Sequence, residues 1–168
     1  MTVMTDAVAV PKNRGLFDRS VLGCATKPVE VEVERGRIRF FAGVLGESEP
    51  AYFDVAAARE QGYPDLLAPP SYFMVLEALA NEELRRQGHP GVYELLQCDF
   101  RFLLHGDETY TYLGQVFAGD RLTFSTTVVD FFEKKGGAME FATLTSTVAH
   151  SERGVLITAN RTLLHRFG

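Results

Sequence analysis

The run Tyr72-Phe-Met-Val-Leu-Glu-Ala-Leu-Ala80 places apolar side chains on nearly every side of a helix. A helix that is apolar all round has to be buried all round. Ser71 can cap its start and Gly88 can end it. Its second half, Asn81-Glu-Glu-Leu-Arg-Arg-Gln87, is polar and has to emerge into water. The chain therefore needs something that wraps the first turns of this helix, and that requirement governs everything else it can fold into.

The remaining sequence supplies a sheet. In Pro28-Val-Glu-Val-Glu-Val-Glu34, Val29, Val31 and Val33 alternate with Glu30, Glu32 and Glu34. Side chains on a strand alternate between faces, so this is a half-buried strand with a wet acidic face. Ile38 to Leu45 fit a short helix ending near Gly46, and Asp54 can cap another over Val55 to Gln61, closed by Gly62. Three prolines make Tyr63 to Pro70 a loop. After the long helix, Phe100 to Leu104 and Thr109 to Leu113 are short β-rich runs. Arg121 to Phe132, Met139 to His150 and Val155 to Leu164 are longer strands, separated by Lys134-Lys-Gly-Gly137 and Glu152-Arg-Gly154 turns. One strand before the helix and four or five after it predict an α+β, hot-dog fold: a curved antiparallel sheet curled around one central helix. At 168 residues the chain has the length of one domain. Residues 1–14 read as a loose arm and 15–168 as the hot-dog domain.

Composition and motifs exclude several classes. Seventeen basic against 22 acidic residues give a net charge of -5, with no basic stripe, so no nucleic-acid partner is expected. No window approaches the ~20 apolar residues of a membrane span, and no secretory signal is visible, so the expected location is cytoplasmic. Cys24 and Cys98 then read as reduced thiols. There is no Gly-x-Ser-x-Gly, no metal-ligand spacing and no glycine-rich phosphate loop. No metal or cofactor is expected. His89, His105, His150 and His165 are scattered, the last two at strand ends where surface positions are expected.

The run Ala42-Gly-Val-Leu-Gly-Glu-Ser-Glu-Pro-Ala-Tyr-Phe-Asp54, followed by Gly62-Tyr-Pro-Asp-Leu-Leu-Ala-Pro-Pro-Ser71, resembles the hydratase motif of the MaoC-like (R)-specific enoyl-CoA hydratase and dehydratase family. Catalytic members carry Gly-Asp-x-Asn-Pro-x-His-x-Asp before a short helix and Ile-Ala-His-Gly before the central one. Leu104-His-Gly-Asp-Glu-Thr-Tyr-Thr-Tyr112 and Val116-Phe-Ala-Gly-Asp-Arg-Leu122 are similar to the family's post-helix strand and turn. The resemblance runs from about Pro28 to Leu164. It implies reversible hydration of an enoyl thioester, in which an aspartate and a histidine position water and move its protons. Backbone N–H groups at the central helix bind the thioester oxygen.

Here Glu47 stands at the aspartate position and Tyr52 at the histidine position, and Pro69-Pro70 replace His-Gly. A phenol with a pKa near ~10 is a poor base at neutral pH, and proline has no N–H to donate. In this the chain is similar to the N-terminal halves of two-domain hydratases and to accessory subunits of heterodimeric dehydratases, which resemble fatty-acid-synthase-type dehydratase domains. The resemblance implies a subunit that binds an acyl-CoA or acyl-carrier-protein thioester without its own acid/base pair. It pairs as a homodimer, or as a heterodimer with a catalytic MaoC-like subunit. Phe53, Tyr63, Pro69, Ser71, Tyr72 and Phe73 are expected at the wall and mouth of the acyl channel. Two alternatives stand beside it: a self-sufficient homodimeric hydratase using Glu47 with Tyr52 or His105, and a non-catalytic acyl-CoA binding module.

Overall fold

The computed structural model describes residues 17–167; the arm expected over residues 1–14 lies outside them. Five antiparallel strands form one sheet in the order β1-β3-β4-β5-β2. They are β1 (Val29–Glu32), β2 (Leu103–Tyr112), β3 (Arg121–Lys134), β4 (Met139–His150) and β5 (Gly154–Arg166). The helices are α1 (Arg35–Leu45), α2 (Val55–Glu60), α3 (Phe73–Arg86) and the short α4 (Val92–Leu95). The α+β hot-dog architecture is present: the long helix α3 lies against the sheet, in contact with β1 and β3.

The alternation in β1 is realised as read. Val29 and Val31 enter the core, while Glu30 and Glu32 stay in water, where Glu30 accepts a hydrogen bond from Arg121 at 2.9 Å. The same period runs through β3, whose Leu122, Phe124, Thr126 and Val128 are buried. Irregularities in register interrupt the β3–β4, β4–β5 and β2–β5 pairs, and bulges of this kind bend and twist a sheet. Curvature follows, and α3 packs into the sheet it creates. Leu76 and Ala80 of α3 join Val29, Val31, Leu122, Val148 and Ala159 in the main core.

Several local expectations change. Helix α3 is not enclosed on every side: Tyr72, Phe73, Leu76, Ala80 and Leu84 are buried, but Met74 is 41% exposed and Ala78 faces out. A single five-stranded sheet reaches round only part of the cylinder. Ser71 does not cap the helix. Pro70 starts a 3-10 turn (Pro70–Tyr72) that leads into α3 without a side-chain cap. The two β-rich runs after the helix are one strand, β2, with a register shift between His105 and Glu108. His165 is fully buried rather than at the surface, because β5 continues past Leu164 under Phe17, whose ring stacks on the imidazole at 3.9 Å. Among the described residues no helix is long and apolar enough to cross a membrane, and no cluster of three potential metal ligands forms.

Candidate functional site

Three pieces of chain meet at the N-terminal end of α3. The first begins where α1 stops. Gly46 takes the left-handed conformation (φ 73°) that glycine adopts without strain, and the chain turns sharply. A 3-10 turn (Pro50–Tyr52) follows, with Glu49 capping Ala51, and Asp54 then caps α2 through Ala56 and Ala57. The second piece is the Pro-rich loop. Arg35 grips Asp65 with two hydrogen bonds, at 2.8 and 2.6 Å, and this holds the Asp65 carboxyl at about 2. Leu67 N–H donates to Ala51, Ala68 N–H to Val116, and Ala118 N–H to Leu66. The third piece, Tyr112 to Val116, leaves the end of β2. The Tyr112 hydroxyl donates to the Pro70 carbonyl at 2.9 Å and ties the strand to the start of α3.

These pieces enclose an apolar cleft of about 300 Å³. Tyr52, Pro69, Tyr72, Leu76, Tyr112, Gln115, Val116 and Ile157 are among the residues that line it. Gly114 also lines it, and a Cβ there would come within 2.7 Å of a Leu156 side-chain methyl, which would have to shift. The lining contains no carboxylate and no imidazole. Its polar side chains are three phenols and the Gln115 carboxamide. Burial first, and then the charges of Glu47 and Glu49, push Tyr52 above the ordinary phenol value. Burial pushes Tyr72 up to about 12, and its hydroxyl has no hydrogen-bond partner. Phenols held protonated can donate hydrogen bonds but cannot serve as bases at neutral pH.

Of the residues singled out in the sequence, Tyr52, Pro69 and Tyr72 line this cleft. Glu47 is exposed, close enough for its charge to act on Tyr52 but outside the lining. Phe53 is half-buried, and its carbonyl accepts from Arg39 at 2.8 Å. Tyr63 packs on Phe117 behind the loop, and Ser71 sits half-buried in the 3-10 turn. Phe73 is core, wedged between Tyr110 and Phe124. His105 lies on β2, 3.7 Å from Glu108, and does not reach the cleft lining. Sequence reasoning missed the part of the lining that comes from residues 112–116 and Ile157. Tyr110 and Tyr112 alternate on β2, and that period was the available signal for Tyr112.

Residues 20–159 match the family model described as "FAS1-like, dehydratase domain region". The chain belongs to this FAS1-like dehydratase family. Among its relatives is a UPF0336 protein of Streptomyces griseus, 36% identical over 113 residues, or 67% of this chain and 71% of the relative. Two solved structures share the fold. One is the C-terminally truncated HadBC (3R-hydroxyacyl-ACP dehydratase) complex of Mycobacterium tuberculosis, with a TM-score of 0.68 and 21% identity over 86% of this chain and 96% of that one. The other is the MaoC-like dehydratase of Rhodospirillum rubrum, also with a TM-score of 0.68, at 18% identity over 92% and 99%. FAS1-like family membership and the MaoC-like fold agree with the resemblance read from Ala42 to Asp54 and Gly62 to Ser71.

Proposed function

We propose that this FAS1-like chain is an acyl-thioester-binding subunit of an (R)-specific enoyl-CoA hydratase or 3-hydroxyacyl dehydratase. A catalytic MaoC-like partner supplies the aspartate and histidine. The observation that carries this reading is the cleft beside the start of α3, which is apolar and lined by no carboxylate or imidazole. Addition of water across an enoyl thioester needs a group that removes a proton from water and a group that delivers one to carbon. Glu47 is outside the lining and Tyr52 is held protonated. The thioester oxygen needs N–H donors at the helix start, and Pro69 and Pro70 have none. What remains is a groove for an acyl chain, walled by Tyr52, Pro69 and Tyr72, with Phe53, Tyr63 and Ser71 shaping the loops behind it. The HadBC complex, a 3R-hydroxyacyl-ACP dehydratase built from more than one kind of subunit, supports an assembly of this type.

The test is hydration of crotonyl-CoA by the purified chain, alone and mixed with a MaoC-like subunit that retains Asp and His. Alone, the chain is expected to show no turnover above background. The mixture is expected to exceed the partner's own rate. Turnover by the chain alone that is abolished by Glu47→Gln or Tyr52→Phe would establish the self-sufficient enzyme instead. Acyl-CoA binding with no effect on any catalytic partner would establish a binding module.

A further inference from the structure

Helix α1 turns an apolar face to water. Successive residues on a helix lie about 100° apart, so Gly36, Phe40, Gly43 and Val44 share one face, opposite the buried Ile38 and Ala42. Phe40 is 75% exposed and Val44 69%, and a Cβ at Gly36 or Gly43 would meet no neighbouring atom within 4 Å. The outward face of a surface helix is normally polar, and an exposed apolar patch marks a place of contact. Between α1 and the start of α3 runs a groove of about 360 Å³, lined by Gly36, Arg37, Phe40, Phe41 and Val75, with Glu34 at one end.

Charge says what kind of partner this face fits. The chain as a whole carries -5, yet α1 holds Arg35, Arg37 and Arg39 and no carboxylate. Asp65 takes Arg35, and Glu34 lies 3.3 Å from Arg37. Arg39 donates to the Phe53 carbonyl, and among the described residues no carboxylate pairs with it. Arg37 and Arg39 flank the apolar stripe on either side, so the face is complementary to a helix whose own apolar stripe is edged by carboxylates. It also adjoins the cleft. Phe41 meets Tyr72 edge-on at 5.7 Å, and past Gly46 the chain runs into the Pro50–Tyr52 turn; Tyr72 and Tyr52 both line the cleft. A carrier seated on α1 brings its thioester arm beside that opening, whereas free CoA has no helix to place there. We propose that the outer face of α1 docks an acidic, helical acyl carrier protein, so that the cleft takes carrier-bound acyl thioesters in preference to CoA thioesters. This rests on the reading of the cleft as an acyl-thioester site.

The experiment is titration of the full chain with octanoyl acyl carrier protein and with octanoyl-CoA, followed on a biosensor as salt is raised. The carrier form is expected to bind at least about tenfold tighter, since burying one phenylalanine side chain is worth that much. Its association rate is expected to fall with salt. Phe40→Ser/Val44→Ser is expected to weaken the carrier form at least about tenfold. Arg37→Gln/Arg39→Gln is expected to slow its association and flatten the salt dependence. Both variants change exposed side chains, so octanoyl-CoA binding is expected to stay within about twofold of the unmodified chain. Equal affinity for the two thioesters, or carrier binding untouched by Phe40→Ser/Val44→Ser, overturns the docking face and leaves the acyl-thioester reading standing. Loss of both thioesters in that variant makes α1 a support of the cleft and overturns the docking face as well. Dissociation of the chain's own dimer by the same variant assigns the face to a second copy instead. Absence of binding by either thioester to the unmodified chain overturns both readings.

Discussion

Arg161 and Glu77 show how much one pair of residues can impose on a core. The guanidinium is fully buried, and the carboxylate that meets it comes from the helix on the other side. Burial pushes the Glu77 carboxyl above its usual range, and the guanidinium opposes that rise. Removing one partner leaves the other charged and unpaired in the interior. Arg161→Met is therefore expected to lower the free energy of unfolding by about 3–5 kcal/mol, and Glu77→Leu/Arg161→Met to recover most of that loss, both measured by urea denaturation. His165 works through pH. Its Nε2 accepts the Asp99 N–H at 3.1 Å, its Nδ1 has no partner, and burial lowers its pKa below the ordinary 6.5. The unfolded chain thus binds a proton that the folded chain resists. Stability is complete above about pH 6.5 and is lost as pH falls below it, toward the folded pKa. Urea midpoints are expected to drop between pH 7.5 and 5.5, and His165→Phe is expected to flatten that slope. An unchanged slope in the variant would assign the effect to other groups.

The elements that frame the cleft depend on local backbone geometry more than on propensity. Strand β2 can follow β5 through its irregular stretch only because Gly106 has no side chain. A Cβ there would lie 2.7 Å from the Thr162 carbonyl oxygen, a backbone atom that cannot swing aside. Gly106→Ala is expected to cost about 1–3 kcal/mol and to loosen β2 first, which amide hydrogen exchange along residues 103–112 can follow. Helix α3 starts through a 3-10 turn rather than a capped end, since Pro70 presets the backbone and the Tyr112 hydroxyl takes the Pro70 carbonyl. The same prolines leave positions 69 and 70 without N–H groups to donate at the helix start.

At the scale of the whole molecule, the sheet has two open edges, β1 and β2, among the described residues. Beside β2 lie exposed apolar side chains: Leu104, Tyr112 and, at 65% exposure, Leu113, with Met74 on the adjacent helix. Unpaired edges with apolar flanks are normally covered by another chain. The chain expressed alone is expected to be a dimer joined through β2, with light scattering at micromolar concentration giving twice the 18.7 kDa of one chain. A monodisperse monomer would contradict this.

The sequence alone determined the elements, because their signals are local. The valine–glutamate alternation over residues 28–34 needs only the two-residue period of a strand to be read. Gly46, Asp54, Gly62 and Gly88 mark helix ends through conformations and caps that act within a few residues. The long apolar helix demanded a sheet against it, and the resemblance to the family motif singled out Glu47, Tyr52, Pro69 and Pro70. Tertiary structure decided which side chains meet. Tyr72 lines the cleft while Phe73, one residue on, is core, because successive residues on a helix point about 100° apart and only packing fixes the phase. Tyr112 joins the cleft across 42 residues of chain through its bond to Pro70. Glu77 in an apolar run and Arg161 within a strand carried no sign of each other. Their pairing exists only once α3 is laid across β5, since a buried charge is tolerated where a partner from another element neutralises it.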